Sequence, residues 1–196
     1  MVELVTPHAR FHRSFLAAAD EFTAAGQGHY ANLLCWPCDE HFAGVEFTRE
    51  DLESPEVFAD YAGFIAAQRF EDTPRPSTYV PCTELWMVSG DRYLGRISLR
   101  HTLTDLLLTW GGHIGYGVRP SARRRGHATL ALAGMLPIAA ERGIDPALVT
   151  CDPDNVASQR TIERNGGIYE DTRAGKLRFW VPTQVPVANK ADLTTE

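Results

Sequence analysis

The sequence predicts a single α/β domain in which helices flank a mixed central β-sheet. Two strand patterns joined by a short turn occupy 83–100, and strand, helix, strand, helix and strand patterns follow in that order over 112–172. Parallel strands need a crossover helix, whereas antiparallel neighbours need only a tight turn. We therefore expect parallel pairing in the middle of the sheet and antiparallel hairpins at its edges.

Length and composition fit one soluble domain. The chain has 196 residues, 44% of them hydrophobic and 22% charged, with a formal net charge of −6. This acidic balance disfavours a nucleic-acid partner. No apolar run approaches the roughly 18 residues of a membrane span, and the first residues do not resemble a signal peptide, so we expect a cytoplasmic protein without a membrane partner. The four scattered cysteines predict reduced thiols.

The N-terminal region begins with a short strand pattern at 2–6 and then a helix. Over 9–25 apolar side chains recur at spacings of three and four residues, and glycines follow, as in an amphipathic helix. A second helix is predicted at 54–70, where Ser54 suits the N-cap and Pro55 the first helical position. The intervening 26–47 has no steady period, so we predict a long irregular loop of the functional or mobile kind.

The next two strands are predicted at 83–88 and 92–100, around a turn at 89–91. Their alternation suits a half-buried sheet. The segment 103–110 fits either a strand or a helical turn. The remaining predictions are a strand at 112–118, a helix at 126–143, a strand at 147–151, a helix at 155–165, strands at 168–172 and 176–181, and a loose polar tail at 182–196.

The segment 111–132 combines a strand, a basic turn and the start of a helix. The first N–H groups of a helix lack intrahelical acceptors and bind anions readily. Arg123, Arg124 and Arg125 add positive charge against an acidic background. This pattern predicts a site for a phosphorylated ligand, although a plain surface arginine cluster would show the same residues.

A second pattern, Asn155-x-x-Ser158 followed by Gly166-Gly167, completes a resemblance to the GNAT superfamily of acetyl-CoA-dependent acyltransferases. The first part is Val118-x-Pro120 followed by Arg123-x-x-Gly126-x-Ala128. Within that superfamily, 114–120 and 126–129 resemble the branch of the ribosomal-protein N-terminal acetyltransferases. The resemblance covers about 83–181.

The resemblance implies a GNAT-type sheet, splayed between two parallel central strands where acetyl-CoA, the cosubstrate, enters. The chain would then be one acetyltransferase domain over 1–196. Its helical region at 1–82 would lie on the acceptor side, and 83–181 would form the acetyl-CoA-binding core.

The resemblance also implies roles for particular residues. Backbone groups of Tyr116 and Val118 would pair with the acetyl carbonyl and pantetheine, and Asn155 and Ser158 would line the pantetheine side. Arg119, Arg124 or Arg125 would meet the outer phosphate of CoA. The pyrophosphate would lie against Arg123 and the main-chain amides of Arg124, Arg125, Gly126, His127, Ala128 and Thr129.

The implied reaction is direct attack of a primary amine on the thioester. An alkyl amine with a pKa near 10.4 is less than roughly 0.1% neutral at pH 7, which corresponds to about 4–5 kcal/mol. His113 is the first candidate for the general base, with Glu84 and His101 as alternatives. Cys151, at the end of a strand beside the cleft, suits an acyl-cysteine route or a simple buried position.

The sequence departs from one common version of the family pattern at Ile162, where many family members carry a tyrosine that protonates the leaving thiolate. Tyr116, Tyr169 or a water would have to replace it. The same departure would suit a non-catalytic CoA-binding sensor or partner-binding module.

No motif in the sequence identifies the amine acceptor. Cys35 and Cys38 with His41 form too weak a pattern for zinc, so no metal is predicted, and this loop with Trp36 and Phe42 is expected to shape the acceptor pocket. A small metabolite, an amine-bearing antibiotic and a protein N-terminus all stay open, as do a monomer and a homodimer. Some acidic residues would favour a cationic acceptor or simply face solvent: Asp39, Glu40, Glu84 and Asp105.

Overall fold

The computed structural model describes residues 2–28 and 33–184, which include a seven-stranded sheet with helices on both faces. Its strands are β1 (Glu3–Val5), β4 (Cys82–Ser89), β5 (Arg92–Arg100), β6 (Ile114–Val118), β7 (Ala147–Cys151), β8 (Ile168–Arg173) and β9 (Lys176–Val181), and β2 (Leu34–Trp36) and β3 (Val45–Phe47) form a separate pair. The helices are α1 (His12–Ala24), α2 (Pro55–Ala67), α3 (His127–Glu141) and α4 (Val156–Arg164). None of the helices in the described ranges is long and apolar enough to cross a membrane.

The sheet has the order β1-β4-β5-β6-β7-β9-β8, and its central pair β6 and β7 is parallel. The other neighbouring pairs are antiparallel. The two parallel strands are paired only through Ile114 and Val149 within the described residues. They separate beyond this point, so the predicted parallel centre and the splay are both confirmed.

A compact junction holds β6 to β7 where their pairing begins. Gly112 has φ +65°, and a Cβ there would lie 2.7 Å from the carbonyl oxygen of Leu148. The His113 N–H donates to that same oxygen at 2.7 Å. Only glycine fits this position, because both the backbone conformation and the close approach exclude a side chain.

Two hydrophobic clusters cover the two faces of the sheet. One packs α3 and α4 against β5, β6 and β7 and contains Leu132, Met135 and Ile162. The other packs α1 and α2 against β4 and β5 and centres on Phe15 and Trp86, whose rings stack at 5.3 Å. The prediction of a half-buried sheet is therefore wrong, because helices cover both faces of β5.

The predicted helices and main-sheet strands are confirmed, with small shifts at their ends. The Ser54 side chain caps α2 by accepting a hydrogen bond from the Val57 N–H, as its position in the sequence indicated. The hairpin between β4 and β5 turns through Gly90 and Asp91. The ambiguous segment 103–110 is helical from 105 onward, with a π-helix at Leu107–Gly111.

The irregular loop predicted over 26–47 is wrong in part, because it contains β2 and β3. Each strand has three residues, too few for alternation to be visible, and they pair from Leu34 with Phe47 to Trp36 with Val45. The predicted loose tail begins later than expected. Thr183 is buried and donates through its hydroxyl to the carbonyl of Ile144, whereas 29–32 and 185–196 lie outside the described residues.

Candidate active site

The separation of β6 from β7 opens a cavity of about 770 Å³, within the usual size range of ligand pockets. Its walls are β6, the turn after it, and the first turns of α3 and α4. Two of the residues predicted to bind the cofactor, Arg119 and the exposed Arg125, do not line it. The lining includes Tyr116, Val118, Arg123, Arg124, Gly126, His127, Ala128, Thr129, Asn155 and Ser158.

The backbone of β6 directs alternate groups into this cavity. The Arg100 N–H donates to the His113 carbonyl, and the Arg119 N–H donates to the Leu94 carbonyl. Successive residues of an antiparallel strand point their backbone groups to opposite sides. Tyr116 and Val118 therefore turn theirs away from β5, toward the cavity, and the Val118 carbonyl accepts a hydrogen bond from Arg123 Nε at 3.0 Å.

The start of α3 is suited to an anion. Gly126 precedes the helix with φ +79° and supplies no side-chain acceptor, so the first helical N–H groups are left for a ligand. A Cβ at Gly126 would meet nothing within 4 Å. The glycine is therefore required here by its left-handed backbone conformation, and not by crowding from the protein.

His127 adds an unsatisfied polar atom to the same wall. Its Nδ1 is buried and has no hydrogen-bond partner among the described residues. Burial and the nearby Arg125 charge lower the pKa of His127, so its imidazole is neutral at pH 7. A buried polar atom without a partner is costly, and a polar ligand in the cavity would remove that cost.

The first turn of α4 joins the opposite wall to β6. Asn155 caps the helix by accepting a hydrogen bond from the Ser158 N–H at 3.0 Å. The Ser158 hydroxyl lies 2.8 Å from the Tyr116 hydroxyl. Cys151 belongs to the hydrophobic core, and burial raises the pKa of its thiol, so it is a poor nucleophile.

A smaller cavity of about 210 Å³ adjoins the first on the far side of the Tyr116–Ser158 pair. The two cavities share Tyr116, Asp152, Asn155 and Ser158. The smaller one is basic, a property that the sequence analysis missed. Its other lining residues include Arg96, Ser98, Arg100, Trp110, Gly115, Thr150 and Lys176.

His113 is not among the residues that line either cavity. Its buried ring accepts a hydrogen bond through Nδ1 from the Leu148 N–H at 2.9 Å. Burial and the charge of Arg100 lower the pKa of His113 to about 4. His113, the predicted general base, therefore lies in the junction between β6 and β7 and not at the cleft.

The alternative bases also lie outside the lining of both cavities. Glu84 is buried, pairs with Arg96 at 3.1 Å and accepts from the Trp86 indole N–H at 3.1 Å. His101 lies 2.9 Å from the Thr83 hydroxyl, and burial, with a smaller effect from nearby arginines, lowers its pKa to about 4. Neither side chain is placed to take a proton from an acceptor in the cavities.

Several other expectations are corrected by packing. Arg119 is buried and bridges to α1 through Glu21 at 2.7 Å, so it does not reach an outer phosphate of a ligand in the cleft. Tyr169 bonds to the Thr172 hydroxyl, away from both cavities. Trp36 contacts Phe64 and Tyr79 on the N-terminal side of the sheet and does not line either cavity.

Cys35 and Cys38 are exposed free cysteines. Across 2–28 and 33–184, no three His, Cys, Asp or Glu side chains are grouped as a metal site would require. Asp39, Glu40 and Asp105 do not line either cavity. All three are exposed, which fits the alternative that they simply face solvent.

Comparison with known proteins agrees with this geometry. A model of the acetyltransferase (GNAT) domain matches 29–168, whereas a comparison with curated protein sequences returned no match. The microcin C7 self-immunity acetyltransferase MccE, solved with acetyl-CoA and AMP, has a TM-score of 0.57 at 13% identity, over 92% of both chains.

Two further solved structures have the same fold. RimL, a ribosomal L7/L12 α-N-protein acetyltransferase solved with coenzyme A, has a TM-score of 0.55 at 17% identity over 91% of this chain and 92% of its own. Mycobacterium smegmatis RimJ has a TM-score of 0.58 at 16% identity over 92% and 81%. Since the domain model spans most of the sequence, this chain belongs to the GNAT acetyltransferase family.

Proposed function

We propose that this protein transfers an acetyl group from acetyl-CoA, bound in the larger cavity, to a primary amine bound in the smaller one. The observation that carries the proposal is the meeting of the two cavities at Tyr116 and Ser158, inside the splay of a parallel strand pair. The start of α3, which is suited to an anion, lies in the larger cavity, and the smaller cavity lies on the other side of Tyr116 and Ser158.

The proposed cofactor contacts follow the walls of the larger cavity. The pyrophosphate lies against the N–H groups from Arg124 to Thr129, with Arg123 beside it. The pantetheine runs along β6, where Tyr116 and Val118 direct their backbone groups, and Asn155 and Ser158 form the other side. Helix-end contacts with an anion contribute roughly 0.3–1 kcal/mol each, so binding requires several of them together.

The proposed reaction is a direct transfer. The amine nitrogen bonds to the thioester carbonyl carbon, the carbon–sulfur bond breaks, and sulfur leaves with the electron pair. Tyr116 is the proposed acid for the departing thiolate, because its hydroxyl lies where the cavities meet and Ser158 holds it at 2.8 Å. Burial of the amine favours its neutral form, and the ammonium loses one proton to water at the cavity mouth before the attack. The proton that the nitrogen loses after the attack restores the Tyr116 hydroxyl through water.

The reaction is tested by mixing the protein with acetyl-CoA and a panel of amines and measuring free CoA thiol. We expect thiol release that depends on the amine, together with a product heavier by one acetyl group. Tight CoA binding by calorimetry without any amine-dependent release would favour the non-catalytic CoA-binding module instead.

A further inference from the structure

The smaller cavity carries positive charge that its own walls do not balance. Arg96 pairs with Glu84, and Lys176 pairs with Asp152. Arg100 forms no ion pair with any carboxylate of the described residues. A partly buried cation without a counter-ion is unfavourable, because burial removes water without supplying an opposite charge.

The guanidinium of Arg100 is held in a defined position. One of its nitrogens donates to the carbonyls of Gly111 and Gly112, both at 3.1 Å, which leaves its other N–H groups for a ligand. The two terminal nitrogens of Arg100 and the Ser98 hydroxyl lie 3.7–3.9 Å from the point that a Cβ on Gly115 would occupy. The guanidinium and the hydroxyl therefore converge on an open space above Gly115.

The walls also limit the size of the occupant. The cavity volume of about 210 Å³ is less than a third of the 770 Å³ of the larger cavity, which suits a small acceptor. Trp110 forms one side, with the Lys176 ammonium 4.9 Å from its ring centre. Tyr116, the proposed acid, lines the same cavity as Arg100, although its side chain lies on the opposite face of the sheet from Gly115.

We propose that the acceptor is a small amine that carries an anionic group, a carboxylate or a phosphate, bound by Arg100 above Gly115. This inference rests on the proposed function and specifies its substrate class. Guanidinium groups bind both anions through paired N–H donors, whereas the Ser98 hydroxyl donates its one proton to the Gly115 carbonyl at 3.3 Å and only borders the site. The amine then points toward Tyr116 and the thioester.

Four matched acceptors test the proposal by their kcat/KM values. β-Alanine and 2-aminoethyl phosphate carry the two anions, and β-alaninamide and ethanolamine are their neutral counterparts. We expect the better anionic acceptor to exceed its neutral counterpart by roughly 10- to 100-fold, the range of a charge-assisted hydrogen bond. The anion within each anionic acceptor raises the pKa of its amine and lowers the neutral fraction. This effect alone would make the anionic acceptors slower, so it cannot produce the expected preference for them.

Arg100→Gln should reduce the anionic-to-neutral ratio to within about threefold of unity, and Arg100→Lys should retain part of it. Arg69→Gln removes the same charge from a residue that lines neither cavity and should keep the full ratio. Gly115→Ala adds a methyl that meets Arg100 and Ser98 at ordinary contact distance, so the protein should fold, but acceptor KM should rise.

Calorimetric titration of the four compounds into the CoA-bound protein separates failure of this inference from failure of the proposed function. Binding that prefers the anions and is lost in Arg100→Gln, but without turnover, would overturn the acetyl transfer and uphold the anion site. Equal turnover or equal binding of anionic and neutral compounds would overturn the anion site. A preference that persists in Arg100→Gln would overturn it as well.

Discussion

The Tyr116→Phe substitution tests the proposed acid most directly. It removes one hydroxyl and keeps the ring that lines both cavities. The buried Ser158 hydroxyl loses a partner at 2.8 Å, which costs about 0.5–1.5 kcal/mol of unfolding free energy for a neutral hydrogen bond. For a domain of this size we expect Tm to fall by roughly 2–6 °C.

The expected loss in catalysis is much larger than this loss in stability. A positioned acid or base contributes about 10²- to 10⁴-fold, so kcat should fall by that factor while CoA affinity changes little. Thiol release under saturating acetyl-CoA gives kcat, calorimetry gives CoA affinity, and urea unfolding gives stability.

Tyr169→Phe is the matched control for this substitution. It removes a tyrosine hydroxyl that bonds to the Thr172 hydroxyl at 2.9 Å, on β8 and outside both cavities. This variant should lose at most comparable stability and keep its kcat. A Tyr116→Phe kcat within about threefold of the wild-type value would refute the proposed acid.

Three further substitutions test the surroundings of the site. Gly126→Ala places a residue with a Cβ at a backbone φ of +79°. We expect the unfolding free energy measured in urea to fall by about 1–2 kcal/mol and CoA binding measured by calorimetry to weaken. Unchanged values of both would contradict the argument that Gly126 is required by its backbone conformation. His113→Ala removes the acceptor of the buried Leu148 N–H, so the unfolding free energy should fall by about 1–3 kcal/mol. Its kcat should change by less than tenfold. A kcat loss of 10²-fold or more would restore His113 as the general base. Hydrogen bonds from Arg119 and, to a smaller extent, Ser121 hold the pKa of Glu21 down to about 2. The Glu21 carboxylate should therefore stabilise the fold above about pH 4.5 and lose this effect as pH falls toward 2. Glu21→Gln should flatten that part of a pH series of Tm values, and an unaltered profile would exclude Glu21 as its source.

Local signals in the sequence were sufficient for the elements that frame the cleft. The caps at Ser54 and Asn155, and the glycine before α3, act within one helical turn, so the residues near them carry the whole signal. The same holds for the loop from Arg123 to Thr129, whose backbone conformation and helix N-terminus are local properties. Ten of the twelve residues predicted to bind the cofactor consequently line one cavity.

The chemistry of individual side chains depended on partners far along the chain. His113 and Arg119 both suit catalysis or phosphate binding by residue type. Packing instead engages His113 with Leu148, 35 residues away, and Arg119 with Glu21, 98 residues away. No local pattern distinguishes a buried structural histidine or arginine from a functional one.

By itself, the sequence determined the α/β class, the order of the helices and main-sheet strands, and the anion-binding turn before α3. Only the tertiary structure decided that Arg100 of β5, Tyr116 of β6 and Ser158 of α4 meet around the smaller cavity. Periodicity and caps arise from neighbours in the chain, whereas burial, charge balance and hydrogen-bond partners arise from neighbours in space. The family and its cleft could therefore be predicted, but the basic acceptor cavity could not.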